Sequence, residues 1–238
     1  MSELLHETRE CTRLRRPAVG VPFLVFLLLA LASPALSAPA ISCHCFQDRS
    51  FDPAEPHKVE PYLLATTRNS FLAVAYGRSK KEIVRLRMSG TAGEDLWVAY
   101  YLAEKTGTPA AEWFEARRQA GSWLSTVTAR GIGPERTGAL FGRALTTRGT
   151  DQTLAVAAAD ETLSATLRVS PADLQGFRKK GADTGEIILA LLLARRLDRP
   201  GAEIFAEVKG SLTTWGGLVD AVGIRPGEME AAVRSLLR

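Results

Sequence analysis

Apolar residues along this chain recur at helical spacing or run together, and no stretch alternates as a half-buried strand would. Ile187-Ile188-Leu189-Ala190-Leu191-Leu192-Leu193-Ala194 is apolar all round, which predicts a helix enclosed by other helices. Leu96 to Ala103 reads as its counterpart, with Trp97, Tyr100 and Tyr101 able to hold polar atoms at its edge. Ser79-Lys80-Lys81-Glu82 and Ser170-Pro171-Ala172-Asp173 fit a capping pattern, in which the serine oxygen takes a free amide and the acid answers back. Gly90 and Gly181 supply the left-handed residue that ends each of those helices. Pro109 and Pro200 open the next helix, Trp123 and Trp215 begin a short one, and Pro134 and Pro226 open the last. The predicted fold class is all-α.

The same pattern is written twice. Ser79, Arg87, Gly90, Ala99, Leu102, Pro109, Glu112 and Phe114 recur 91 residues later as Ser170, Arg178, Gly181, Ala190, Leu193, Pro200, Glu203 and Phe205. After one insertion the offset becomes 92, and Trp123, Val127, Gly131, Ile132, Pro134 and Ala139 return as Trp215, Val219, Gly223, Ile224, Pro226 and Ala231. Such self-similarity reads as a tandem duplication of a multi-helix unit. The units span 61–145 and 152–238, joined by a linker at 146–151.

Within each unit the final pair resembles a helix-turn-helix. Leu218 to Ile224, then Pro226 and Met229 to Leu236, gives a short helix, a glycine turn, an apolar plug and a second helix, and Trp123 to Leu145 repeats it. A DNA reader of this type exposes a basic second helix, whereas this one sets Glu228 and Glu230 beside Arg234. The reading is a packing module without nucleic acid as partner.

Ahead of the repeats stands a leader. Arg13-Leu14-Arg15-Arg16, an apolar run from Val21 to Ala32, Pro34 and the small residues Ala35 to Ala40 describe a secretory signal peptide over 1–38. An uncleaved anchor is the alternative, since Ala18 to Ala38 just reaches across a hydrocarbon core of about 30 Å. A lipid-modified Cys43 is a third reading, although Ala40-Ile41-Ser42-Cys43 lacks the leucine usual before such a cysteine. All three put the body outside the inner membrane, periplasmic or secreted, and the cleaved form carries no membrane span. The formal charge of +4, of which the leader contributes +1, favours neither nucleic acid nor an anionic membrane as partner.

Candidate chemistry concentrates in the segment 39–60. Beyond the leader the cysteines and histidines are Cys43, His44, Cys45 and His57. Thiolate and imidazole suit zinc or copper, and two of each fill a tetrahedral shell. In an extended Cys43-His44-Cys45 run, however, His44 points away from both cysteines, so one ion needs a turn there. Oxidation to a disulfide, internal or between chains, is the competing outcome in an exported protein. Residues 61–238 contain no histidine, which removes a Ser-His-Asp or Cys-His site from them. The acid pairs Glu94-Asp95, Asp160-Glu161 and Glu112/Glu115 suit helix starts and solvated faces, as Arg117-Arg118, Arg195-Arg196 and Arg178-Lys179-Lys180 suit helix ends. Trp123 and Trp215 read as core anchors.

These features point to a non-enzymatic envelope protein whose repeats present a surface to another envelope protein. A metal-handling or thiol-redox protein working through Cys43, His44, Cys45 and His57 is the alternative. A glycan-directed enzyme using Glu94 or Glu112 is a third.

Overall fold

A computed structural model describes residues 49–237. The leader at 1–38 and Cys43, His44 and Cys45 lie outside the described residues. Those described form twelve α-helices, and no strand occurs among them. In chain order the helices are α1 (Glu60–Ala75), α2 (Lys80–Met88), α3 (Gly93–Thr106), α4 (Ala110–Ala120), α5 (Trp123–Ala129), α6 (Ala139–Thr146), α7 (Asp151–Leu167), α8 (Pro171–Lys179), α9 (Thr184–Leu197), α10 (Gly201–Lys209), α11 (Trp215–Ala221) and α12 (Met229–Leu236). No helix among the described residues is long and apolar enough to cross a membrane.

Local signals place most of these boundaries. Ser122, Thr150, Ser170, Asp183 and Thr214 each accept an amide three residues on, which satisfies one of the free donors at a helix start. Asp183 and Glu186 close a full capping box at the head of α9. Gly90 and Gly181 take positive φ, 93° and 81°, where a side chain would be strained. Ser79 departs from expectation: it makes no side-chain cap bond, and Glu82, which would complete the box, accepts from the Tyr100 hydroxyl. At Ser170 the amide bond forms, but Asp173 answers the serine hydroxyl (2.6 Å) and not the backbone.

Pro134 and Pro226 do not open the last helices either. They open three-residue 3-10 turns, and α6 and α12 begin at Ala139 and Met229. The start of α6 is set from outside the hairpin. Glu161 on α7 accepts the Leu140 and Phe141 amides at 2.6 and 2.9 Å, and the Tyr101 hydroxyl accepts the Gly138 amide at 2.8 Å.

The core centres on α3 and α9, as their apolar patterns require. Leu96, Val98, Ala99 and Leu102 are fully buried, as are Ile187, Ile188, Leu189, Ala190 and Leu193. Trp123 and Trp215 open α5 and α11 with their rings inside. Packing order does not follow chain order. The first of the described helices, α1, packs against α9 and α12, while α7 packs against α3 and α6. Each of the two long helices therefore completes a body built mainly by the other stretch of chain.

Candidate functional site

The first acid of each long helix ties it to the body that it completes. Asp151, the first residue of α7, accepts the Trp123 amide through Oδ1 at 2.7 Å and the Arg117 guanidinium through Oδ2 at 2.6 Å. Asp95 takes the Trp123 indole N–H at 2.7 Å, and Arg117 Nε lies 3.5 Å from the same Oδ1, near enough for attraction but not aligned as a hydrogen bond. At the other end Glu60, the first residue of α1, accepts the Trp215 amide at 2.9 Å. Lys209 pairs with Glu186 at 2.9 Å beneath it. The two ends use acids, cations and tryptophans that correspond by the offsets of 91 and 92.

Residues from both stretches of chain line a cleft of about 390 Å³. The heads of α3 and α9 form two walls, with α1 and α7 forming the others. Arg68, Arg87 and Arg178 reach it, opposed by Glu94 and Asp183, with Trp97 and Gln152 along the sides. Two of the arginines are held by hydrogen bonds. Arg178 grips the buried Asp160 (2.6 Å from Nη2) and also donates to the Ala182 carbonyl and Thr184 hydroxyl. Arg87 donates to the Thr91 carbonyl at 2.6 Å, the loop position that matches Ala182. Arg68 stands 3.7 Å from Asp183. Space is tight at Gly185, where a Cβ would lie 3.0 Å from Arg68 Cγ and 3.1 Å from the Leu64 carbonyl. Guanidinium, carboxylate and amide groups held rigidly on two sides suit recognition of a charged, hydrogen-bonding ligand.

A tyrosine cluster occupies the opposite edge of α3. Tyr101 donates to Glu161 at 2.5 Å, Tyr76 shares a 2.7 Å hydrogen bond with Thr162, and Tyr76 stacks on Tyr100 at 5.7 Å between ring centres. Burial raises the ionisation of all three above the usual phenol value, and the carboxylates Glu161 and Glu82 add to this at Tyr101 and Tyr100. They remain neutral donors. Glu161 accepts from Tyr101 and from two backbone amides, and through these amides it begins α6.

Of the four candidate metal ligands Cys43, His44, Cys45 and His57, His57 alone is described. Its exposed ring holds Nδ1 3.3 Å from Glu60 Oε2. Among the described residues no three His, Cys, Asp or Glu side chains gather as metal ligands. Asp160 and Glu161 are not on a solvated face: one pairs with Arg178, the other caps α6. Arg117 and Arg178 likewise serve tertiary ion pairs, beyond any favourable placement at a helix end. A signal for these residues existed in the offset itself. Glu60 and Asp151, Asp95 and Glu186, Arg87 and Arg178, and Arg117 and Lys209 keep their charge from one stretch to the next.

Comparison with protein-family models, curated proteins and solved structures returns no match.

Proposed function

We propose that this chain is an exported envelope protein, built as a tandem duplication, that binds another envelope protein without catalysing a reaction. The observation that carries the binding role is the cleft, lined from both stretches of chain by arginines and acids, of which Arg87, Arg178 and Asp183 are fixed through their own hydrogen bonds. Such preorganisation lowers the cost of ordering side chains when a partner arrives. The duplication is supported by the helix series. Helices α2 and α8 have 9 residues each, α3 and α9 have 14 each, α5 and α11 have 7 each, and α6 and α12 have 8 each. The matched acid–tryptophan contacts at Asp151 and Glu60 support it too. Export rests on the leader pattern described above.

The test is a photo-cross-linking amino acid at Gln152, within the cleft, compared with one at the exposed Arg118, in intact cells. A discrete adduct from Gln152 that disappears on Arg68→Glu supports the reading. Equal labelling from both positions, or recovery of the chain from the cytoplasm with residues 1–38 intact, overturns it.

A further inference from the structure

The cleft has unlike walls, and the offset of 91 shows how they differ. Positions that tie the helices together keep their charge across that offset, as Glu60 and Asp151 or Asp95 and Glu186 do. Two charged positions that face the cleft do not. Glu94 at the head of α3 corresponds to Gly185 at the head of α9, and Arg68 on α1 corresponds to Ala159 on α7. A Cβ on Gly185 would lie 3.0 Å from Arg68 Cγ, so the stem of Arg68 runs beside the place where a counterpart of Glu94 would begin. One helix head thus presents a carboxylate to the cleft, and the other a guanidinium.

Both groups keep capacity for a ligand. Glu94 and Gln152 make no hydrogen bond or ion pair among the described residues. Trp97, one turn on from Glu94 along the same face of α3, also lines the cleft. A carboxylate, a carboxamide and an indole together suit a cation that carries N–H donors. Among the described residues Arg68 has only its ion pair with Asp183, whose 3.7 Å is too long for a hydrogen bond. The two side chains are 39% and 47% exposed, so the guanidinium fork stays open to a second carboxylate. The other arginines are committed elsewhere: Arg178 donates to Asp160, Ala182 and Thr184, and Arg87 to the Thr91 carbonyl.

We infer that the cleft takes a zwitterionic peptide unit, its ammonium held by Glu94 and Gln152 beside Trp97 and its carboxylate by Arg68. This rests on the reading of the cleft as the site that receives a partner, and it names the chemistry that enters. A volume of about 390 Å³ lies at the small end of ligand sites and suits a unit of about one or two residues. The free ends of a short peptide offer this pair of charges, and so do adjacent lysine and glutamate side chains within a longer one. A cation or an anion alone leaves one wall of the cleft unmatched.

Isothermal titration calorimetry of the full-length chain tests this with glycylglycine, its N-acetyl form, its C-terminal amide and an end-blocked Lys-Glu dipeptide. A zwitterion is expected to bind about tenfold more tightly than either singly charged form. Preference for glycylglycine places the charges at a free end, and preference for the blocked dipeptide places them on side chains. Glu94→Gln should bring the zwitterion down to the affinity of the N-acetyl form, and Arg68→Gln down to that of the amide, a selectivity that a merely loosened fold would not produce. If either variant fails to fold, the four ligands on the wild-type chain decide. Equal binding of zwitterion and singly charged forms overturns the inference, and so does binding of none. Should none bind while Gln152 still yields its discrete adduct in cells, the charge assignment fails and the binding role stands; loss of both removes the cleft as a site.

Discussion

Asp151→Ala removes two partners at once, the acceptor for the Trp123 amide and the counter-ion of Arg117. Trp123 is fully buried and its amide sits at the start of α5, so the vacated donor has no helical partner to fall back on. A hydrogen bond to a charged group contributes about 1.5–3 kcal/mol. The Arg117 pair is the weaker of the two, since both side chains keep some solvent contact, 23% and 31% exposed. Together the loss is expected to be about 3 kcal/mol. Asp151→Asn keeps an oxygen for the amide and gives up the charge, and should cost about half of that. Urea unfolding followed by tryptophan fluorescence reads both, with the midpoint falling and the slope unchanged. In an Arg117→Met background the cost of Asp151→Ala should shrink, because one of its two contacts has already gone. A loss below about 0.5 kcal/mol, or strict additivity of the two substitutions, would refute the bridging role given to Asp151.

The buried Asp160–Arg178 pair should behave asymmetrically. Asp160→Ala strands a guanidinium that retains only Ala182 and Thr184, with an expected loss of about 3 kcal/mol, whereas Asp160→Asn installs the residue found at the matching position, Asn69, and should cost clearly less; equal thermal shifts for the two would sink this. Stability should also fall in alkali. The raised ionisation of Tyr76, Tyr100 and Tyr101 keeps them protonated in the fold, so their contribution is complete below the unfolded phenol value of about 10 and is lost as pH rises past it. Each adds a slope of about 1.4 kcal/mol per pH unit there, and Tyr101→Phe should flatten the urea midpoint measured across that range. An unchanged slope in that variant would remove Tyr101 from the account.

The elements were legible because their signals are local. The apolar run Ile187 to Ala194, the glycines at 90 and 181 and the tryptophans at 123 and 215 each fix a helix body or boundary by their own chemistry. The capping box at Ser79 was misleading in part for a tertiary reason, since the Glu82 carboxylate accepts from Tyr100, 18 residues along the chain. The start of α6 was hidden in the same way, as its cap is Glu161, 20 residues on from Phe141. The cleft could not be read at all from one stretch of sequence. Its walls come from α1, α3, α7 and α9, and nothing in a helical period states which helix lies beside which. What was available, and informative only in retrospect, is that charge persists at matched positions such as Glu60 and Asp151.

The placement of α1 has a consequence for the order in which the protein can be made. Its partners lie in α9 and α12, and its capping acid, Glu60, meets Trp215 across 155 residues of intervening chain. At a synthesis rate of about 5–20 residues per second, that separation corresponds to a wait on the order of 10–30 seconds. Helix α7, by contrast, follows α3 and α6 directly and can join them as soon as it emerges. Of the described helices, α1 is thus made first and waits longest for its distant partners, and through that interval much of its apolar face is available to whatever chaperone attends the chain.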